Sequence, residues 1–194
     1  GAAACPSMAG TTLTWSERMT TTPWKQAWQD GLVTGSAASA LSTLTLAAGA
    51  RHDSGSPWAA TNASSHWVWK DEALRASRPD LKHTLLGYLI HHGTSVFWAT
   101  LHARLWGRRG LADDPNALLT AALLSSAVAC FVDYQLTPRR LQPGFEKRLS
   151  TPSMVAVYAA FGLGLALAQR ALERRTLEPS GRAAGQERSA TPPA

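Results

Sequence analysis

HTLLGYLIHHGTSVFWATLHA (83–103) runs for 21 residues without an Asp, Glu, Lys or Arg. A helix needs about 20 apolar residues, rising about 1.5 Å each, to cross the hydrocarbon of a bilayer. The stretch meets that length, but it also carries His83, His91, His92 and His102. Its reading decides the fold, because three other stretches share its lack of charge. GLVTGSAASALSTLTLAAGA (31–50) and PNALLTAALLSSAVACFV (115–132) are two. The third is a gap at 149–169 whose apolar part, SMVAVYAAFGLGLALAQ, covers 153–169. Four such windows predict an all-α fold: an integral membrane four-helix bundle with spans at about 31–50, 83–103, 115–132 and 153–169.

Composition agrees with that reading. Charged residues are 16% of 194, against roughly 25% in soluble domains. The length suits one domain, and the apolar windows exclude a wholly disordered, collagen-like or disulfide-built chain. Cys5 and Cys130 are too far apart in character to read as a disulfide, one in a polar lead and one in an apolar run. The net charge of +6 does not point to nucleic acid. The cations cluster at the ends of apolar windows (Arg51, Lys82, Arg104, Arg108, Arg109, Arg170, Arg174 and Arg175), where lipid headgroups explain them. Arg outnumbers Lys 15 to 4 and Ala reaches 34, a bias that fits a GC-rich bacterial genome.

The flanks divide the chain further. Residues 1–23 contain no apolar stretch of signal-peptide length and are expected to be a flexible extension. The membrane domain is expected over 24–172, and the Pro/Gly-rich stretch 173–194 as a disordered tail. Between the first two windows, SGSPWAATNASSHWVW (54–69) is uncharged but too polar to span. Its Trp58, Trp67 and Trp69 suit the headgroup level. A Trp-rich interfacial helix over 62–77, or a folded extramembrane loop, is expected there. Four spans put the N-terminal lead, the second loop and the C-terminal tail on one side with ten Lys/Arg, against nine on the other. The expectation is a multi-pass protein of the bacterial inner membrane with both termini in the cytoplasm.

Small residues recur every four positions on two windows: Gly31, Gly35, Ser39 and Thr43 on the first, Ala156, Ala160, Gly164 and Ala168 on the fourth. Four-residue spacing places each set on one helix face, where small side chains let a neighbouring helix approach. Counting depth along the windows brings Ser39, Ser42, His91, His92, Ser125, Ser126 and Tyr158 near one midplane layer. Such a layer serves either as hydrogen-bonded glue between helices or as a substrate or proton site titrated by His91 or His92. At the mouth formed by the first and third loops, His52, His66, His83 and Asp133 offer donors that a divalent transition metal would accept, though without a metal-ligand spacing. No other cofactor is expected. His91 and His102 lie eleven residues apart on one face of one helix, so they cannot clamp a haem between two helices. No nucleophilic triad or phosphate-binding loop stands out.

The phrases PWAATNASSHWVW (57–69), HTLLGYLIHHGTSVFWA (83–99) and DYQLTPRRLQPGFE (133–146) resemble those of small four-helix inner-membrane proteins of proteobacteria. The resemblance, over roughly 24–170, implies location and topology and carries no catalytic residue. Three functions are therefore expected in turn. The first is a scaffold or accessory subunit acting through helix packing on lipid, another membrane protein or a second copy. The second is a transporter-like or redox-accessory protein using the midplane histidines. The third is a metal-binding membrane protein.

Overall fold

The structure, a computed structural model, describes residues 21–107, 111 and 114–189, with side chains through residue 175. It is helical, with no strand among the described residues. Helix α1 spans Trp24–Ser54 and stops at Gly55, whose φ of 74° sets the left-handed C-cap. Two short helices follow, α2 (Ala59–Ser64) and α3 (His66–Arg75), the latter broken at Lys70 by a φ of 48°. A π-helical turn, Leu81–Leu85, leads into α4 (Leu86–Trp106). Helix α5 (Pro115–Phe131) starts with proline at its first turn, where no amide hydrogen bond is lost. There the Asp114 carboxylate accepts from the amides of Asn116 and Ala117 at 3.0 and 3.1 Å. A π turn (Val132–Leu136) and two 3₁₀ turns (Arg139–Leu141 and Phe145–Lys147) lead to α6, Thr151–Ser189.

The four long helices alternate in direction. Gly31 lies against Thr100 and Gly35 against Val96, so α1 and α4 are antiparallel. Gly164 lies against Ala38 and Gly49 against Ser153, so α6 also opposes α1. Gly162 meets Ala122 and Leu123, which sets α5 against α6. The resulting order is α4, α1, α6, α5, and the ring closes thinly because α4 and α5 meet over little of their length. One end, the tail end, holds Thr22, Arg104 and the start of α5. The other, the cap end, holds α2, α3 and the loop before α6.

Two apolar layers fill the interior. Ala38, Ala99, Leu118, Ala122, Phe161 and Leu165 pack toward the tail end. Leu46, Ala50, Ala59, Phe145, Leu149 and Val157 pack toward the cap. Three helices are long and apolar enough to cross a membrane: Trp24–Ser54, Pro115–Leu136 and Thr151–Arg175. The window at 83–103 is helical and of spanning length but does not reach the hydropathy of those three. Its histidines lower the average without shortening the helix.

Boundaries shift outward from the charge gaps. Helix α1 begins seven residues before Gly31, since KQAWQD can stay helical beyond an apolar stretch while its charges face out. Helix α6 continues to Ser189, through most of the stretch expected to be a disordered tail. A helix already nucleated by the apolar segment extends at little cost per residue. Most of the expected N-terminal extension lies outside the described residues. At its end the Thr22 amide donates to the Arg104 carbonyl at 3.1 Å, tying the start of α1 to the end of α4.

Candidate functional site

The cap is built from the inside out. All six residues of α2 are buried, so the first half of the loop after α1 plugs the bundle mouth instead of lying at its surface. The fit depends on Gly87 of α4: a β-carbon there would collide with the Thr61 carbonyl oxygen. Asn62, fully buried, clamps the loop. Its amide donates to the carbonyls of Arg78 at 2.8 Å and Ala76 at 3.3 Å, and its oxygen accepts from Thr84 at 2.7 Å. Arg148 donates to the Leu74 carbonyl at 3.1 Å and to Ser77 Oγ at 2.6 Å, joining the loop before α6 to the one before α4. Trp67 Nε1 donates to the Gln142 carbonyl at 2.9 Å. Asp53 accepts from the Ser150 amide and hydroxyl at 2.7 and 2.9 Å, pinning the start of α6 to the end of α1.

Beneath this cap lies a cavity of about 60 Å³, room for a few water molecules. Its polar lining includes Ser42, His91, Thr94, Asp133 and Tyr158, between walls of Trp98 and Phe145. Ser42 Oγ and His91 Nε2 share a hydrogen bond at 2.9 Å across the α1–α4 contact. Tyr158 donates to Asp133 Oδ2 at 2.7 Å across α5 and α6. The rings of His91 and Tyr158 each pack against Phe145. The cavity thus brings a histidine–serine pair and a tyrosine–carboxylate pair to one chamber.

The expected midplane layer divides in two. Ser42, His91 and Tyr158 belong to the cap-side chamber, and Ser126 joins α5 to α6 by donating to the Tyr158 carbonyl at 2.6 Å. Ser125 turns toward the tail end, where its Oγ lies 2.8 Å from His102 Nδ1. His102 Nε2 lies 2.6 Å from Gln169 Oε1, and Gln169 donates onward to Glu173 at 2.7 Å. His92 stacks on Tyr88. Its Nδ1 and the hydroxyl of Ser39 are buried without a hydrogen-bond partner among the described residues. The Ser125–His102–Gln169–Glu173 chain has little trace in the sequence. The eleven-residue spacing of His91 and His102 was its one visible signal, whereas Gln169 is simply the last uncharged residue of its window.

Of the small-residue stripes, Gly31, Gly35 and Ser39 are buried, and Thr43 is half-buried. On α6, Gly164 is buried against Ala38, Ala160 and Ala168 are half-buried, and Ala156 faces outward. The face turned inward carries Val157, Phe161, Leu165 and Gln169 as well.

The four mouth residues each have another partner. His52 pairs with its neighbour Asp53 at 2.7 Å and stands exposed. His66 Nδ1 lies 3.0 Å from the Ala63 carbonyl. Asp133 takes the Tyr158 hydroxyl. His83 contacts Asp80 at 2.8 Å and Glu72 at 3.5 Å. No three His, Cys, Asp or Glu side chains converge on a common ion position among the described residues. The hydrogen bond from His83 holds the Asp80 carboxyl below the usual carboxylate range, and Lys82 does the same for Glu72. Lys82 also sits 4.3 Å over the Trp69 ring. Loop one is thus closed by charge as well as by hydrogen bonds.

No protein-family model, no curated protein and no solved structure matches the chain.

Proposed function

We propose that the chain is a four-span integral protein of a bacterial inner membrane, with α4 as the fourth span, and that it works as a small scaffold or accessory subunit. The observation that carries this reading is how side chains divide between inside and outside. Small residues line the closest contacts between helices, and beyond the few large side chains of the two core layers, many large apolar ones face away from the bundle. Leu32 and Leu44 on α1, Leu89 and Phe97 on α4, Leu124 and Phe131 on α5, and Val155 and Leu163 on α6 are all exposed. In water that surface would be an aggregation liability. In a bilayer it is the face offered to lipid or to another helix. Helix α4 shares the pattern, and its three histidines, His91, His92 and His102, are half-buried or buried, which favours a span whose polar groups turn inward.

The test is photocrosslinking from exposed positions in intact membranes. An accessory role predicts protein crosslinks from one face, such as Phe97, and lipid crosslinks from the opposite one. Lipid crosslinks at every position, with a particle of one chain, would contradict it.

A second reading is favoured by the capped chamber: a transporter-like or redox-accessory role in which His91 exchanges protons with water in the cavity. Replacing His91 and His92 by Leu separates the two. The packing role predicts intact assembly in that variant, while the chamber role predicts assembly without activity.

A further inference from the structure

The thin contact between α4 and α5 leaves a groove of about 580 Å³ on the tail side of Trp98. Leu101, Leu105, Leu124 and Val128 give it an apolar lining, and Trp24 and Arg104 stand at its tail end. Two observations there bear on what fills it. First, the guanidinium of Arg104 has no carboxylate partner among the described residues. Its Nε and Nη1 are buried and make no hydrogen bond there. The guanidinium sits over the face of Trp24, 5.2 Å from the ring centroid. Arg104 is half-buried, and a cation with two of its three nitrogens shielded from water favours a counter-anion. Second, the polar groups deeper in the groove already have partners, His102 with Gln169 and Ser125, and Ser125 also with the Ala121 carbonyl, so the inner part asks only for hydrocarbon. An apolar slot ending in a guanidinium that has no carboxylate partner among the described residues, beside a tryptophan, matches an acyl chain joined to a phosphate at headgroup depth.

From this we infer that the α4–α5 groove is a binding site for an anionic phospholipid, one acyl chain lying between Leu101 and Leu124 and the phosphate neutralising Arg104. The inference rests on the membrane reading above and deepens it by naming a ligand. The lipid would complete the weakest seam of the helix ring, acting as a packing element between two helices that barely touch.

The experiment uses the full chain purified in mild detergent. Its thermal unfolding is followed while short-chain phosphatidylglycerol or phosphatidylcholine is added, and retained lipid is read by native mass spectrometry. The expected result is stabilisation by phosphatidylglycerol over phosphatidylcholine and retention of an anionic lipid. Arg104→Gln weakens that preference about fivefold, the value of one cation at a membrane surface. Leu124→Trp fills the slot, keeps Arg104, and removes stabilisation by either lipid. It decides the matter if Arg104→Gln does not fold. Lys147→Gln, the same charge change at the exposed cap, leaves the preference intact. Equal response to both lipids, or an unchanged preference in Arg104→Gln or in a folded Leu124→Trp, overturns the site. A chain that fractionates as a monodisperse particle in buffer without detergent overturns the membrane reading itself, a separate result from loss of lipid selectivity.

Discussion

His102 on α4 and Gln169 on α6 are hydrogen-bonded across the bundle interior, Nε2 to Oε1, at 2.6 Å. Gln169 spends its amide on Glu173, so its oxygen is the acceptor and His102 Nε2 the donor. That leaves His102 Nδ1 facing Ser125 of α5. One imidazole therefore joins three helices, at the end of the bundle where α4 and α5 otherwise barely meet.

Removing one member of this pair strands the other. His102→Leu or Gln169→Leu is expected to cost about 1–3 kcal/mol, the penalty for an orphaned buried polar group. The double variant is expected to be more stable than the sum of the singles implies. Coupling in membrane helices averages about 0.6 kcal/mol and reaches about 1.7. A double-mutant cycle on unfolding in mixed micelles measures it, and strict additivity would mean that the pair is not formed.

The glycines of the α1–α4 seam give a sharper contrast. A β-carbon at Gly35 would sit 2.7 Å from the Val96 Cα, whereas one at Gly93 meets nothing within 4 Å. Gly35→Leu is expected to destabilise by about 1–3 kcal/mol or more through overpacking. Gly93→Ala is expected to stabilise by about 0.5–1 kcal/mol, the usual gain over glycine inside a helix. Comparing melting temperatures of the two variants checks both signs at once.

The cap is expected to loosen before the bundle does. Asn62→Leu strands the Arg78 and Ala76 carbonyls and the Thr84 hydroxyl, so protease access between Lys70 and Lys82 rises while the long helices stay protected. Gly87→Ala, which drives a methyl group against the Thr61 carbonyl, is expected to reproduce that pattern. If cleavage spreads at once to α4, cap and bundle form one cooperative unit.

Acid is expected to act on the same loop. The carboxyls of Asp80 and Glu72 titrate below their ordinary values in the folded protein because His83 and Lys82 bind their charged forms. A lowered folded-state value means stabilisation that is complete above the unfolded value, roughly pH 4, and lost as pH falls through the folded one. Protease access to the loop should therefore rise as pH drops below about 4, and Asp80→Asn should flatten that rise. Both carboxylates are exposed, so the effect belongs to the loop and not to the core.

Absence of charge was the legible part of the sequence. It marked all four long helices, because a lack of charge is a matter of composition alone, even where histidines lower the hydropathy of α4, and it placed α5 almost to the residue, since Asp114–Pro115 is a local start signal. The cap was legible only in part: α3 (His66–Arg75) falls within the helix expected over 62–77, but the burial of α2 was not legible. The charge-free SGSPWAATNASSHWVW reads as interfacial because its tryptophans are amphipathic, yet α2 is drawn inside by a fit between Gly87 and Thr61 that only the packed chain reveals. The polar interior was half legible. Counting depth picked out Ser42, His91 and Tyr158, which line one cavity, but depth says nothing of rotation about the helix axis. For that reason Ser125 and His102 faced a second cluster. Asp133, expected at the outer mouth, turned inward to Tyr158.

The membrane account turns on whether α4 crosses, and cysteine labelling in intact cells measures that directly. In a background of Cys5→Ser and Cys130→Ser, single replacements Lys25→Cys, Arg78→Cys, Asn116→Cys and Lys147→Cys are probed with an impermeant maleimide. Four spans predict that positions 25 and 116 label from one side and positions 78 and 147 from the other. Labelling of Arg78→Cys and Asn116→Cys from the same face would mean that α4 does not cross, and would contradict the account.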